Sequence, residues 1–263
     1  MLLRLDHGMV GGMPILKTST HVVRLSAATL AVALLAACAT EPEDPVAQQV
    51  YLETNDPIEP TNRYVFDVDM AVDEVVITPV ATIYNDAIPE SYRDGIRNFL
   101  DNLQMPITIL NSALQGDWEN TVEASVSFFI NTTAGMGGIF DIPGSFGDQP
   151  SKEDFGQTLA AWGVGEGPYV VLPLVGPSNA RDTVALGVDI LTDPLTYLLS
   201  PVWSYARSGS RTVQVRGDNQ EQFEGLRRTS IDFYAAVRSL YRQDRNNDIA
   251  NGDDSPFAFG DDF

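Results

Sequence analysis

The chain has 263 residues, with 36 Asp and Glu against 16 Lys and Arg and a formal net charge of −20. So acidic a balance excludes a nucleic-acid binder, whose affinity comes from basic groups on phosphate, and excludes simple electrostatic adhesion to anionic lipid. The two histidines, His7 and His21, lie at the front and Cys38 is the single cysteine, which excludes an internal disulfide and leaves the chain after residue 38 without a Ser-His-Asp arrangement or most catalytic zinc sites.

Residues 1–37 read as a signal peptide: Arg4, Lys17 and Arg24 supply positive charge and Leu25 to Ala37 form an uncharged core of 13 residues. A membrane span needs roughly 20 such residues, so the core is a removable signal and not an anchor. A start at Met9 or Met13 leaves this reading unchanged. Leu35-Ala36-Ala37-Cys38 resembles the lipobox of bacterial lipoproteins. That resemblance implies a diacylated Cys38 sulfur, cleavage before it and acylation of the new amino group with chains such as palmitate. Two or more chains, each contributing about 0.8 kcal/mol per buried CH₂, hold a protein on a membrane where one does not. Ala39 stands where many such proteins carry an aspartate for inner-membrane retention, which implies the outer membrane. Without residues 1–37 the chain keeps 13 basic and 35 acidic residues.

Residues 38–55 are acidic and proline-bearing and read as a flexible tether. From Thr61 to Ile83 apolar residues are too dense for a one-faced surface helix; helix is expected with a break near Pro79, and Val75-Val76-Ile77-Thr78 leaves a strand open. Residues 90–115 read as two helices divided at Pro106 and ended by Gly116. Asp117 is a good N-cap for the next helix, whose stripe Trp118, Val122, Val126, Phe129 and Ile130 is widened by Phe128 beyond what one packed face needs. Glycines crowd residues 135–147, and Ser151-Lys152-Glu153-Asp154 opens a short helix to Trp162. Tyr169 to Val175, interrupted by Pro173, is extended or a short strand. Ser178 caps a helix from Ala180 to Leu191, and a short apolar piece follows Asp193-Pro194. One longer helix is expected from Asp218 to Arg245, with Phe223, Leu226, Phe233, Val237, Leu240 and Tyr241 on its seam. The acidic, glycine-bearing tail from residue 246 reads as disordered. Helix dominates, no stretch is apolar enough to span a bilayer, and several short apolar helices sit oddly in so charged a chain.

Catalytic motifs are missing: G-x-S-x-G, G-x-x-x-x-G-K-[ST] and G-x-G-x-x-G do not occur after residue 37. Asp244-Arg245-Asn246-Asn247-Asp248 begins like a calcium loop but carries Ile249 and Ser255 where glycine and glutamate belong. No enzyme, cofactor or metal site is expected. Eight arginines, at 207, 211, 216, 227, 228, 238, 242 and 245, fall in one stretch. They suit phosphate headgroups, or else a solvated helix balanced by acids such as Asp232 and Asp244.

A series of motifs, in order, resembles the MlaA (VacJ) outer-membrane lipoproteins: Asp56-Pro-Ile-Glu59 with Asn62-Arg63, Leu114-Gln-Gly-Asp117, Phe128-Phe-Ile-Asn131, Gly135-Met-Gly-Gly138, Phe155-Gly156-Gln-Thr, Trp162-Gly163 through Pro173, and Arg181-Asp182. They span most of residues 56–200, with a looser echo at Arg242 to Gly252. The resemblance implies a mainly α fold over residues 56–245, a ring-like bundle of short amphipathic helices lying in the outer membrane with few or no strands. It implies a non-enzymatic transporter that takes stray phospholipid from the outer leaflet and passes it to the periplasmic carrier MlaC, beside a trimeric porin. In that picture Trp118, Val122, Phe128 and Phe129 face the membrane, and Gly135, Gly137, Gly138 and Asp141 are candidates for a lipid channel; the glycines also read as ordinary loop punctuation. A scaffolding lipoprotein that binds a porin or envelope partner is the alternative. Pro60-Thr61 departs from the family pattern, and residues 200–241 match it poorly.

Overall fold

In the computed structural model residues 54–250 are described, except Asp148 and the side chains of Pro201, Val202 and Tyr205. The signal, Cys38, nearly all of the tether and residues 251–263 lie outside the described residues. The first helix, α1 (Glu59–Val72), passes through a π-helical turn at Asp73–Ile77 into α2 (Thr78–Ala87). The break expected at Pro79 does not occur: Pro79 stands in the first turn of α2, and the wider π-helical turn before it accommodates the proline. The strand left open at 75–78 is likewise helical.

Then α3 (Glu90–Gln115) runs unbroken through Pro106, against the expectation of two helices. A proline inside a helix forfeits one hydrogen bond and crowds the carbonyl four residues back; here packing along α4 (Trp118–Thr133) outweighs that cost. Gly116, at φ +82°, turns the chain between them, and the Asp117 carboxylate caps α4 by accepting from Asn120 N at 3.0 Å.

The next helix, α5 (Phe155–Ala161), is capped by Asp154 and not by Ser151: Asp154 accepts from Gln157 N at 2.8 Å. An antiparallel hairpin follows, β1 (Tyr169–Leu172) and β2 (Gly176–Asn179), with Tyr169 opposite Asn179. Ser178 thus belongs to a strand, and Asn179 caps α6 (Ala180–Thr192) through Asp182 N at 2.8 Å. After α7 (Pro194–Leu198) the single helix expected over 218–245 is divided among α8 (Pro201–Asp218), α9 (Gln220–Thr229) and α10 (Phe233–Ile249). Asp232, as N-cap of α10, forces the second division. The last helix also extends past residue 246, where the tail was expected to begin.

The apolar core is small: Phe66, Tyr169, Val171, Tyr234, Val237 and Tyr241 join α1, the hairpin and α10. Asn62, 1% exposed, fastens this junction. Its amide donates to Asp56 Oδ1 at 2.7 Å and to the Tyr169 carbonyl at 3.0 Å, and its oxygen accepts from Val171 N at 3.0 Å. Asp56 in turn accepts from Arg238 at 2.7 Å and from the Tyr234 hydroxyl.

Elsewhere the usual distribution of polarity is reversed. On α3 and α4 the buried positions include Asn102, Thr108, Asn111, Ser112, Asn120, Ser127 and Asn131. Their outward faces carry Phe99, Leu110, Leu114, Trp118, Val122, Val126 and Phe129, all exposed. Among the described residues the buried polar and charged side chains outnumber the buried apolar ones. Soluble monomers rarely expose contiguous apolar surface on this scale, and such surface marks contact with a partner or a membrane. No helix of the described residues is long and apolar enough to cross a bilayer.

Candidate functional site

The inward side of α3 borders a cavity of about 140 Å³. One wall is α3, through Gln104, Ile107 and Thr108, and another is the segment Lys152-Glu153-Asp154 with Gln157 of α5. The hairpin contributes Val175 from its turn and Pro177 from β2, α6 contributes Asp182, Ala185, Leu186 and Asp189, and α10 contributes Tyr241 and Arg245. The helical spacing of Asp182, Ala185, Leu186 and Asp189 puts all four on one face of α6. The lining is therefore amphipathic, with four carboxylates and two basic groups interleaved with aliphatic side chains.

Arg245 organises the polar side. Its Nη1 and Nη2 donate to Asp154 Oδ2 and Oδ1, both at 2.7 Å, and its Nε donates to Asp182 Oδ2 at 2.9 Å. Asp182 also accepts from Arg181 Nε at 2.8 Å, Tyr241 OH at 2.9 Å and Asn179 Nδ2 at 2.6 Å. Burial raises the Asp182 pKa, but Arg245 and Arg181 together carry it below the usual carboxylate range. The same burial holds the Tyr241 hydroxyl well above its ordinary pKa, with the Asp182 charge adding to it. This cluster needs Gly156: a Cβ there would stand 2.4 Å from both Arg245 Nη2 and Asp182 Oδ1.

Two other carboxyls shift in the opposite direction, because burial outweighs the donors and charges that favour their ionised form. Burial pushes Glu153 up to about 7, helped by the charges of Asp154 and Asp117, although Gln115 Nε2 donates to it at 2.6 Å. Burial likewise pushes Asp189 up to about 6, against the opposing bonds from Phe155 N at 3.1 Å and Asn111 Nδ2 at 3.4 Å. The cavity thus changes charge near neutral pH. Among the described residues no group of three or more His, Cys, Asp or Glu side chains is placed to hold a metal ion.

The residues singled out in the sequence fall elsewhere. Trp118, Val122 and Phe129 are exposed on α4, and Phe128 is half-buried at the flank of that face. None of Gly135, Gly137, Gly138 and Asp141 lines the cavity. Instead they close the loop after α4 onto α3: Gly138, at φ +100°, lies where a Cβ would be 2.4 Å from the Asn102 Cβ. Gly135 sits so near the Asn131 and Phe140 carbonyls that a Cβ would overlap them, and Gly137 takes a φ of +80°. Asp141 accepts from Asn131 Nδ2 at 3.0 Å and from Gly144 N at 3.1 Å, which caps a short turn. Cys38 lies outside the described residues. Half of the arginine stretch does not form a solvated face, for Arg211, Arg216, Arg238 and Arg245 are buried, while Arg227 and Arg228 are exposed. The four buried ones pair with Asp101, Asp73, Asp56 and Asp154, all more than 80 positions away. The cavity carboxylates were missed as a set, yet Phe155-Gly156-Gln157-Thr158 follows Asp154, Arg181-Asp182 contains another, and the echo at Arg242 to Gly252 contains Arg245.

A family model described as MlaA lipoprotein matches residues 54–248. The intermembrane phospholipid transport system lipoprotein MlaA of Shigella flexneri is 35% identical over 234 residues, which cover 88% of this chain and 90% of that one. The protein of the same name from Haemophilus influenzae is 27% identical over 204 residues, 76% of this chain and 81% of that one. A solved structure described under "Structural basis for maintenance of bacterial outer membrane lipid asymmetry" is similar with a TM-score of 0.66 and 35% identity, over 74% of this chain and 99% of that one.

Proposed function

The chain belongs to the MlaA lipoprotein family, and on that premise we propose that it moves phospholipid out of the outer leaflet of the outer membrane and so maintains lipid asymmetry. The observation that carries this reading is the pairing of an apolar exterior with an amphipathic internal cavity. An outward face of Trp118, Val122 and Phe129 suits hydrocarbon surroundings, and helices that lie in the membrane plane bury such a face without spanning. Inside, Arg245 and the carboxylates offer a phospholipid headgroup polar company while Ile107, Val175 and Leu186 line the path of its upper acyl segments. That arrangement lowers the cost of taking a charged headgroup out of water, which is prohibitive in hydrocarbon alone.

The reading includes no chemical step. Arg245 is committed to Asp154 and Asp182, and Asp182 is surrounded by fixed donors, which suits a passage more than a reaction centre. Acylation at Cys38 tethers the chain to the outer membrane on its periplasmic side. A trimeric porin against the apolar face and MlaC as the acceptor complete the proposal.

Deleting the gene and measuring outer-leaflet phospholipid tests it. Increased outer-leaflet phospholipid and increased detergent sensitivity are expected. Unchanged leaflet composition contradicts transport and favours a scaffolding role.

A further inference from the structure

A second cavity, of about 130 Å³, shares Val175 and Pro177 of the hairpin with the polar one but is lined mainly by apolar side chains, among them Phe66, Met70, Ile77, Val215 and Phe223. Three charged residues border it, Asp69, Asp73 and Arg216, each at least nine-tenths buried. Arg216 uses Nε and Nη2 on Asp73, at 2.9 and 3.3 Å, and its guanidinium lies 4.2 Å from the centroid of the Phe223 ring. Its Nη1 is buried with no hydrogen-bond partner. So is Asp69 Oδ2, although Asp69 Oδ1 accepts from Leu174 N at 2.9 Å.

A buried donor left unsatisfied costs roughly 1–3 kcal/mol, and more when charged, so folded proteins keep few of them. An apolar cavity of about 150 Å³ stays dry and accepts small hydrocarbons, so walls of this kind favour hydrocarbon over water. A hydrocarbon chain that ends in an oxygen acceptor meets both demands. We propose that this cavity binds one acyl chain, whose carboxylate or ester carbonyl oxygen accepts a hydrogen bond from Arg216 Nη1. The proposal deepens the transport reading and rests on it for the class of ligand. Binding sites for whole drug-sized ligands occupy about 300–1,000 Å³, so this cavity takes a chain segment and the remainder of the lipid lies outside, past the exposed Leu174. A free fatty acid and a phospholipid ester both supply the required chemistry.

The test uses the acylated full chain, purified in non-ionic detergent and titrated with a fluorescent polyene fatty acid and, separately, with a phospholipid carrying the same acyl chain. Wild type is compared with Val215→Phe, which fills the cavity from α8, and with Asp73→Asn/Arg216→Met, which removes the donor without stranding a buried carboxylate. Val215→Ala, which enlarges the cavity, serves as the control for folding and keeps binding. Both test variants are expected to weaken binding by about tenfold or more, equivalent to about 1.4 kcal/mol. Weakening confined to the fatty acid assigns a free carboxylate, and weakening that includes the phospholipid assigns the ester. Absence of saturable binding by wild type, or equal binding by wild type and Val215→Phe in both titrations, overturns the proposal. Binding by the purified chain is read apart from leaflet composition in cells, so failure here is distinct from failure of the transport reading.

Discussion

Arg245 joins three elements that are distant in sequence, because its guanidinium bridges Asp154 before α5 and Asp182 on α6 from a position on α10. Removing one partner of a buried pair strands the other, at a cost of roughly 3–5 kcal/mol. Arg245→Met is therefore expected to lower stability by about that amount, measured as the denaturant midpoint in detergent. Gly156→Ala should act on the same cluster through overlap of its Cβ with Arg245 and Asp182, with a smaller loss. Glu153 sets a pH dependence. Its pKa is raised by burial from 4.5 to about 7 in the folded chain, so the folded state holds the proton more firmly than the unfolded one. The stability this confers is fully present below about pH 4.5 and is lost as pH rises through about 7. Glu153→Gln should flatten that slope, and an unchanged slope would place the titration elsewhere.

At the scale of elements, the pair α3 and α4 carries the membrane argument, with asparagine, serine and threonine inward and large apolar side chains outward. Trp118→Glu/Phe129→Glu should leave helix content intact by circular dichroism while releasing an acyl-free form of the chain from liposomes; retention on liposomes would show that this face does not contact lipid. Much of this level was legible in the sequence. The Asp117 cap, the Gly116 turn and the broad stripe of α4 are local signals, and local signals fixed that helix. The unbroken course of α3 through Pro106 was not legible, because the packing on α4 that sustains it is a tertiary effect. Nor were the divisions among α8, α9 and α10, since apolar spacing continues across Asp232 and conceals its role as a cap. The cavity was the least legible feature. Asp154, Asp182, Asp189 and Arg245 meet only after folding, and in an acidic chain each carboxylate looks like another solubilising charge.

For the whole molecule, the claim is that an inverted distribution of polarity makes one object both soluble in lipid and hollow for a headgroup. Apolar surface faces out on α3 and α4, buried arginine–aspartate pairs replace much of the core, and the amphipathic cavity lies where α3, α5, α6, α10 and the hairpin meet. The sequence holds only one cysteine, Cys38, which acylation would block, so Leu186→Cys places a single reactive thiol on the cavity wall. The most direct measurement is outer-leaflet phospholipid in cells whose sole copy carries Leu186→Cys, before and after reaction with a bulky maleimide. The account predicts leaflet composition restored to normal before labelling and shifted to that of the deletion strain after it; complete labelling with no rise in outer-leaflet phospholipid would contradict passage through this cavity.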